Sequence, residues 1–149
     1  MAEQNSNHII GTGIDLVENE RMTEMLSRWH GKFKDRVFLP EEQAYCESKS
    51  DPNMHYAARF AVKEAVSKAL GTGLGTHVNL LDIETVRDNK TGAPSVKLSA
   101  RAGKLMDSMG AGNILISLSH TKNYSVAHAI VERKKNHRST RMNTEKIPS

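Results

Sequence analysis

The residues best able to do chemistry lie in one run of fifteen, RFAVKEAVSKALGTG, which starts at Arg59. Glu64 stands one helical turn before Lys68, and the cations Arg59 and Lys63 precede it, so positive charge flanks a carboxylate. A Glu and a Lys at this spacing most often form a solvent-facing pair that stabilises a helix by about 0.2–0.5 kcal/mol. The alternative is an anion site, because a glycine-rich turn that begins at Gly71 follows and its backbone N–H groups can hold a phosphate.

A second candidate is the carboxylate of Asp15, which interrupts the β-branched and apolar run IIGTGIDLV at residues 9–17. In a strand its side chain points to the opposite face from those of Ile14 and Leu16. Such a carboxylate either bonds to a neighbouring loop or joins Glu64 in holding Mg²⁺, which takes one or two protein oxygens. The spacing in the sequence leaves both alternatives open.

The other patterns predict the elements that position these groups. Apolar residues at helical spacing predict helices around residues 22–29 and 54–69, and on the second helix one face packs while the charged face is free. Asp51 is expected to cap the second helix, and Gly71 to end it in the left-handed conformation. The remaining predicted elements are strands at 81–87, 95–98, 114–121 and 124–131 and short helices from Pro40 and from Ser99 to about 109. This order predicts an α+β domain with an antiparallel sheet.

The composition of the chain suits one globular domain, with 149 residues, 38% of them hydrophobic and 26% charged. The net charge of +4 is uneven, because residues 133–149 hold six Lys and Arg against one acid, which leaves fifteen against sixteen in residues 1–132. We therefore expect a domain over 1–132 and a basic, solvated tail over 133–149. An alternative is a protein that binds nucleic acid through that tail. Residues 1–132 are not basic, however, and lack interleaved aromatic residues, so we expect no specific nucleic-acid partner.

The pattern of apolar residues and several single residues exclude other classes of protein and of catalytic site. No apolar stretch approaches the roughly 20 residues that span a bilayer, and the N-terminal residues lack a signal-peptide pattern, so we expect a cytoplasmic protein without a membrane partner. Cys46 is the one cysteine, and we interpret it as a half-buried helix residue rather than a nucleophile. His120, at a strand end, is more often a bonded residue than a catalytic one, and His128 is expected to be packed within an apolar strand.

Three segments in this order resemble holo-[acyl-carrier-protein] synthase, the short class of 4′-phosphopantetheinyl transferases. They are GIDLVENERM at residues 13–22, RFAVKEAVSKALGTG at 59–73 and SLSHTKNYSVAHAIVER at 117–133. The resemblance spans roughly residues 8 to 133. It implies the fold of that family, with an antiparallel sheet packed on a long central helix, and a trimer with the site between subunits.

The resemblance also implies the reaction, which moves the 4′-phosphopantetheine group from coenzyme A to a serine of an apo acyl carrier protein and releases adenosine 3′,5′-bisphosphate. Asp15 and Glu64 would bind Mg²⁺, and Lys68 would contact a nonbridging phosphate oxygen. The serine proton would pass to Glu64, directly or through a water, or to Asp15. The positions that match the coenzyme side of the family site are Arg59, Lys63, Lys68, Gly71, Pro94, His120 and Thr121.

The implied protein partner is acidic, so it should meet cations on this chain. Arg21 and Arg28 lie two turns apart on one side of the first helix and would supply them. Few basic residues precede the central helix, and Lys49 is the candidate there for the 3′-phosphate of coenzyme A. The alternative function is a binding module for coenzyme A or the carrier protein that has lost turnover.

Overall fold

The computed structural model describes residues 8–72, 75 and 77–135. The elements in chain order are β1 (Ile9–Glu18), α1 (Asn19–Val37), α2 (Pro40–Glu47), α3 (Pro52–Leu70), β2 (Ile83–Arg87), β3 (Pro94–Leu98), α4 (Ala100–Met109), β4 (Ala111–His120) and β5 (Tyr124–Arg133). The strands β1, β5 and β4 form an antiparallel sheet with β5 in the middle, and β2 and β3 form a separate antiparallel hairpin. The predicted α+β class with antiparallel pairing is confirmed. Within the described ranges, no helix is both long and apolar enough to cross a membrane.

The sheet lies directly on α3 because two glycines of β1 allow the backbones to touch. A Cβ at Gly11 would lie 1.9 Å from the carbonyl oxygen of Ala69, and one at Gly13 would lie 1.9 Å from that of Ala65. Only glycine fits at such a distance. The close approach brings the next inward-facing side chain of β1, that of Asp15, to the surface of α3.

Helix α3 is buried on almost its whole circumference, so the expectation of a free charged face is wrong. Besides its apolar residues it buries Arg59, Lys63 and Ser67, which are 3%, 0% and 1% exposed. The physical reason is that the sheet covers one side while α1, α2 and β2 pack on the other. Of the charged residues in the motif, Glu64 is half-buried and Lys68 is exposed.

The helix ends follow the predicted signals with one difference. Gly71 ends α3 in the left-handed conformation at φ 75°, and the Ser99 side chain accepts the Ala102 N–H at the start of α4. Asp51 precedes Pro52 at the start of α3 as predicted, but its side chain makes no capping hydrogen bond. These glycine and serine signals therefore mark the end of α3 and the start of α4.

The strand boundaries differ slightly from the predictions. Strand β2 begins at Ile83 rather than at residue 81, because residues 80–82 form a 3₁₀ turn whose Asp82 carboxylate accepts the Asn79 N–H at 2.7 Å. Strand β5 runs to Arg133, one residue beyond the predicted domain boundary. Of the predicted basic tail, residues 136–149 lie outside the described residues.

The sheet face that points away from α3 is apolar and exposed in the single chain. Ile14, Leu16 and Leu115 on this face are 62%, 63% and 47% exposed. His128 pairs with Ile14 across the two strands and is exposed as well, so the expectation that it is packed is wrong for the single chain. We call this surface, formed by Ile14, Leu16, Leu115 and their neighbours, the outer sheet face.

Candidate active site

Asp15 and Glu64 line one cavity of about 410 Å³ between β1, α1 and α3. Strand β1 supplies Asp15 because its glycines press it on α3, and α3 supplies Glu64 from its one uncovered side. The remaining walls of the cavity are formed by Leu16, Val17, Glu18, Arg21, Met22, Met25 and Phe60. The convergence of the two carboxylates, which sequence spacing left open, is therefore a feature of the fold.

The two carboxylates act on each other electrostatically. Burial raises the pKa of the Glu64 carboxyl, the charge of Asp15 raises it further, and Lys68 partly offsets this. The Lys68 ammonium lies 3.0 Å from Asp15 Oδ1 and donates to the Ile14 carbonyl oxygen at 3.0 Å. Because the Lys68 side chain is 51% exposed, this ion pair contributes little to stability, and the ammonium can leave Asp15 for another anion.

The pair Asp15 and Glu64 fits a hard divalent cation better than a transition metal. Among the residues that the structure describes, no group of three or more His, Cys, Asp or Glu side chains is placed to hold a metal ion. Mg²⁺ needs only one or two carboxylates and completes its shell with water and phosphate oxygens. A cation between the two carboxylates would favour the charged form of Glu64, whose pKa burial and the charge of Asp15 raise.

Three cations, none of which forms an ion pair with a carboxylate of the described residues, surround the ring of Tyr45. The guanidinium carbon of Arg59 lies 3.9 Å from the ring centroid, the Lys49 ammonium 4.7 Å and the guanidinium carbon of Arg87 5.6 Å. The His55 ring packs edge-on against the same ring at 5.8 Å. The buried Nε atoms of Arg59 and Arg87 have no hydrogen-bond partner among the described residues. Buried donors of this kind call for an acceptor, so this Tyr45 cluster is suited to an anion.

The turn after β4 places His120 and Thr121 beside the Tyr45 cluster. The centroid of the His120 ring lies 5.8 Å from that of His55. The Thr121 hydroxyl oxygen accepts the N–H groups of Asn123 at 3.3 Å and Tyr124 at 3.1 Å, which closes the turn. Its own bond to the Tyr124 carbonyl is long, at 3.5 Å, so the hydroxyl proton remains available to a phosphate oxygen.

The other residues predicted to contact the coenzyme or the carrier protein lie on the β2 and β3 hairpin, at the end of α3 and on α1. Pro94 pairs with Arg87 across the β2 and β3 hairpin and so flanks the Tyr45 cluster. Gly71 follows Lys68 at the end of α3, with open space where a Cβ would lie, whereas residues 73, 74 and 76 of the glycine-rich turn lie outside the described residues. Arg21 forms part of the cavity wall, and Arg28 is exposed further along α1.

Comparisons with known proteins identify the family of the chain. The model of the 4′-phosphopantetheinyl transferase superfamily matches residues 11–129, which include both carboxylates and the turn after β4. The chain belongs to this superfamily. A protein from Syntrophus aciditrophicus strain SB that is named holo-[acyl-carrier-protein] synthase is 41% identical to this chain over 122 residues. The match covers 82% of this chain and 94% of that protein.

Solved structures of transferases named holo-[acyl-carrier-protein] synthase share the fold. The one from Neisseria meningitidis has a TM-score of 0.79 and 28% identity, and the match covers 84% of this chain and 99% of that one. The one from Helicobacter pylori, in complex with coenzyme A, has a TM-score of 0.71 and 33% identity, covering 80% of this chain and 98% of that one. The resemblance stated from the sequence is thereby confirmed.

Lys63 lies inside the protein rather than at the candidate site where the sequence predicted it. Its side chain is fully buried, and its ammonium donates to Glu42 Oε1 at 2.7 Å, to the Leu80 carbonyl at 2.8 Å and to the Ile83 carbonyl. Burial lowers the pKa of Lys63, and the Glu42 charge opposes that effect. With all three N–H bonds used inside the protein, Lys63 cannot contact coenzyme A in this structure, and the prediction that it does so is wrong. Its place is structural, because it joins α2, α3 and β2.

Replacement of Lys63 by Met is expected to destabilise the transferase by about 3–5 kcal/mol, because Glu42 is left buried without its charge partner. Urea unfolding followed by circular dichroism measures the loss. Lys68→Met is the control, since it removes a half-exposed lysine and should cost about 1 kcal/mol or less. Equal stability of the Lys63→Met variant and the wild type would contradict the structural assignment of Lys63.

Sequence reasoning missed three residues of the Tyr45 cluster. Tyr45 belongs to α2, His55 to α3 and Arg87 to β2, so no periodic spacing connects them.

Cys46 was predicted from the sequence to be half-buried, whereas the structure buries its thiol fully, and this burial raises the pKa of the thiol to about 12. Such a thiol is not a nucleophile at neutral pH, in agreement with the interpretation from sequence.

Proposed function

We propose that this chain transfers the 4′-phosphopantetheine group of coenzyme A to a serine of an apo acyl carrier protein and releases adenosine 3′,5′-bisphosphate. The observation that carries the proposal is the convergence of Asp15 and Glu64 at one cavity, with the Lys68 ammonium 3.0 Å from Asp15 Oδ1. Support comes from the relatives named holo-[acyl-carrier-protein] synthase and from the Helicobacter pylori structure, which is a complex with coenzyme A.

In the proposed reaction the serine oxygen attacks the β-phosphorus of coenzyme A, and the bond from that phosphorus to the bridging oxygen breaks. Glu64 accepts the serine proton, since it lines the cavity and burial raises the pKa of its carboxyl. Lys68 turns from Asp15 to a nonbridging phosphate oxygen, a movement that its exposure permits. Mg²⁺ held by Asp15 and Glu64 would supply neutralisation of the charge on the pyrophosphate.

The nucleotide part of coenzyme A is proposed to lie along the Tyr45 cluster. The buried Nε atoms of Arg59 and Arg87 have no hydrogen-bond partner in the part of the chain that the structure describes, and together with the Lys49 ammonium they favour a phosphate at this place. His120 and Thr121 border it on the side of the turn. The remaining contacts in this proposal are those of Pro94 with the adenine and of Gly71, where the missing side chain leaves room for the coenzyme.

The carrier protein is proposed to dock on α1, where Arg21 and Arg28 are exposed. An acidic carrier would meet these two cations, and such charge complementarity mainly speeds the encounter and fixes the orientation. Met22 and Met25, on the same helix, line the cavity beside Glu64 and give the incoming serine segment an apolar wall.

We further propose a homotrimer in which other copies of the chain cover the outer sheet face. Ile14 and Leu16 are more than 60% exposed in the single chain, and together with Leu115 they form an apolar surface on one side of the sheet. Contiguous apolar surfaces of this kind mark association sites in proteins. Because Ile14 and Leu16 flank Asp15 in β1, the proposed interface lies beside the proposed metal site.

The experiment that tests the function is a measurement of carrier-protein mass. Apo carrier protein is incubated with the wild-type chain, coenzyme A and Mg²⁺, and the carrier is expected to gain the mass of one phosphopantetheine group. No gain is expected when coenzyme A is omitted, when a chelator is added, or when the acceptor serine of the carrier is replaced by alanine. An unchanged mass with several carriers, together with tight binding of coenzyme A, would favour the binding module instead.

Binding of coenzyme A is expected to take up a proton at His55. Burial holds the pKa of His55 below its usual value of 6.5, and the charges of Arg59, His120, Lys49 and Arg87 lower it further. A phosphate among these cations would raise the pKa of His55. His55 then takes up a proton on binding at pH values between its pKa in the free protein and its higher pKa in the complex, and affinity rises as the pH falls through that window.

Calorimetry at pH 6 in buffers of different ionisation enthalpy measures this proton uptake. The variant His55→Gln is expected to take up fewer protons per coenzyme A than the wild type. Any protonation of the ligand's own phosphate groups contributes to the measured uptake of both proteins. Identical uptake by the two proteins would place the protons elsewhere and overturn the prediction.

A further inference from the structure

Asn19 ties the start of α1 to the turn between β4 and β5. Its side-chain amide donates to the carbonyl oxygens of Thr121 at 2.9 Å and Lys122 at 3.1 Å. Its side-chain oxygen accepts the Ser125 hydroxyl at 2.7 Å, and its backbone N–H donates to the Asn123 carbonyl at 2.9 Å. Asn19 is 7% exposed, so one buried residue makes four hydrogen bonds to a segment more than one hundred positions away.

These bonds leave Asn19 little capacity for a substrate. Both N–H bonds of its amide are used, and the oxygen already accepts the bond from Ser125. The two carbonyls that it holds belong to Thr121 and to Lys122, and His120 lies immediately before them. Asn19 also follows directly on β1, four residues after Asp15. It therefore connects the strand of the proposed metal site with the turn proposed for the nucleotide.

We propose that Asn19 is a positioning residue for coenzyme A, which it affects by holding His120 and Thr121 at the nucleotide. This inference rests on the proposed function of the site. Asp15 and Glu64 are held by β1 and α3 and not by the turn, so loss of the Asn19 amide bonds changes coenzyme affinity and leaves the chemical step in place. A role in general stability alone would instead leave the affinity of the folded protein unchanged.

The test compares two variants that remove opposite halves of the network. Asn19→Asp keeps the size of the side chain and the bond from Ser125, but it loses both donors and sets a carboxylate against two carbonyl oxygens. Ser125→Ala removes only the bond to the Asn19 oxygen and leaves both donors on the turn. We expect Asn19→Asp to raise the KM and the Kd for coenzyme A about tenfold, with kcat and the KM for the carrier within about twofold of the wild type. Ser125→Ala should stay within about twofold in all four quantities.

Direct titration with coenzyme A keeps the outcome separate from that of the proposed function. Absence of carrier modification by the wild type would refute the transferase, whereas the ratio of the two Kd values tests Asn19 in either case. Wild-type affinity in Asn19→Asp, or equal weakening by Ser125→Ala, would overturn the inference. If Asn19→Asp does not fold, Asn19→Ala removes the same donors without adding a charge, and its Kd is compared with that of Ser125→Ala.

Discussion

Glu64→Gln is expected to lower kcat for phosphopantetheine transfer by about a thousandfold. The amide has nearly the shape of the carboxylate, but it cannot accept the serine proton and is a poor ligand for a divalent cation. Loss of a general base alone costs about a hundred- to ten-thousandfold in rate. Carrier-protein mass at timed intervals measures the rate, and the Kd for coenzyme A is expected to change much less because the Tyr45 cluster is intact.

The same substitution should not weaken the fold, which separates its effect from unfolding. Burial and the charge of Asp15 raise the pKa of Glu64, so the folded protein binds that proton more tightly than the unfolded chain. The carboxyl therefore lowers the free energy of unfolding as the pH rises through its titration range, and a neutral Gln removes this cost. Glu64→Gln should unfold at the same temperature as the wild type or a higher one. Glu41→Gln makes the same chemical change at an exposed position and should leave the rate unchanged.

Gly13→Ala is expected to damage both stability and transfer, because one methyl group would separate β1 from α3. The added Cβ would lie 1.9 Å from the Ala65 carbonyl oxygen and 2.8 Å from the Ala69 nitrogen. The strand must move away by about 1 Å, and overpacking of this kind costs about 1–3 kcal/mol. Asp15 follows two residues later on the same face, so it moves away from Glu64, and a misplacement of about 1 Å can lower the rate about a hundredfold.

Urea unfolding and the mass assay together test the Gly13→Ala prediction. Gly31→Ala, within α1, is the matched control, since nothing lies within 4 Å of the added methyl group. It should leave transfer unchanged and stabilise the helix by up to about 1 kcal/mol. A Gly13→Ala variant with the stability and rate of the wild type would show that the close contact of β1 with α3 does not set the site geometry.

Local signals in the sequence predicted the elements well. The left-handed Gly71, the capping Ser99 and the turn after β4 depend on residues next to one another in the chain, so their patterns suffice. Strand alternation also placed Asp15 on the opposite face from Ile14 and Leu16. It did not show that the apolar pair is exposed and the carboxylate faces α3, because which face meets the helix depends on the glycine contacts.

Tertiary contacts account for what the patterns missed. A helical wheel sets Arg59 and Lys63 outside the apolar stripe, yet both are buried because α3 is covered from two sides and Glu42 offers Lys63 a charge partner. The Tyr45 cluster draws residues from α2, the segment after α2, α3 and β2, and no spacing along the chain relates them or connects them with His120 at the end of β4. The proposed roles of the two carboxylates came from the resemblance to a family, and the fold brings the two groups together.

The most direct test of the proposed site is the binding of a divalent cation in solution. Mn²⁺, used in place of Mg²⁺, is titrated into the protein in the presence of coenzyme A, and bound Mn²⁺ is measured by electron paramagnetic resonance. The wild type and Glu41→Gln are expected to bind one Mn²⁺ per chain, whereas Asp15→Asn and Glu64→Gln should both bind none at the same concentration. Wild-type Mn²⁺ binding by either of these two variants would contradict the assignment of Asp15 and Glu64 as joint ligands of one metal ion.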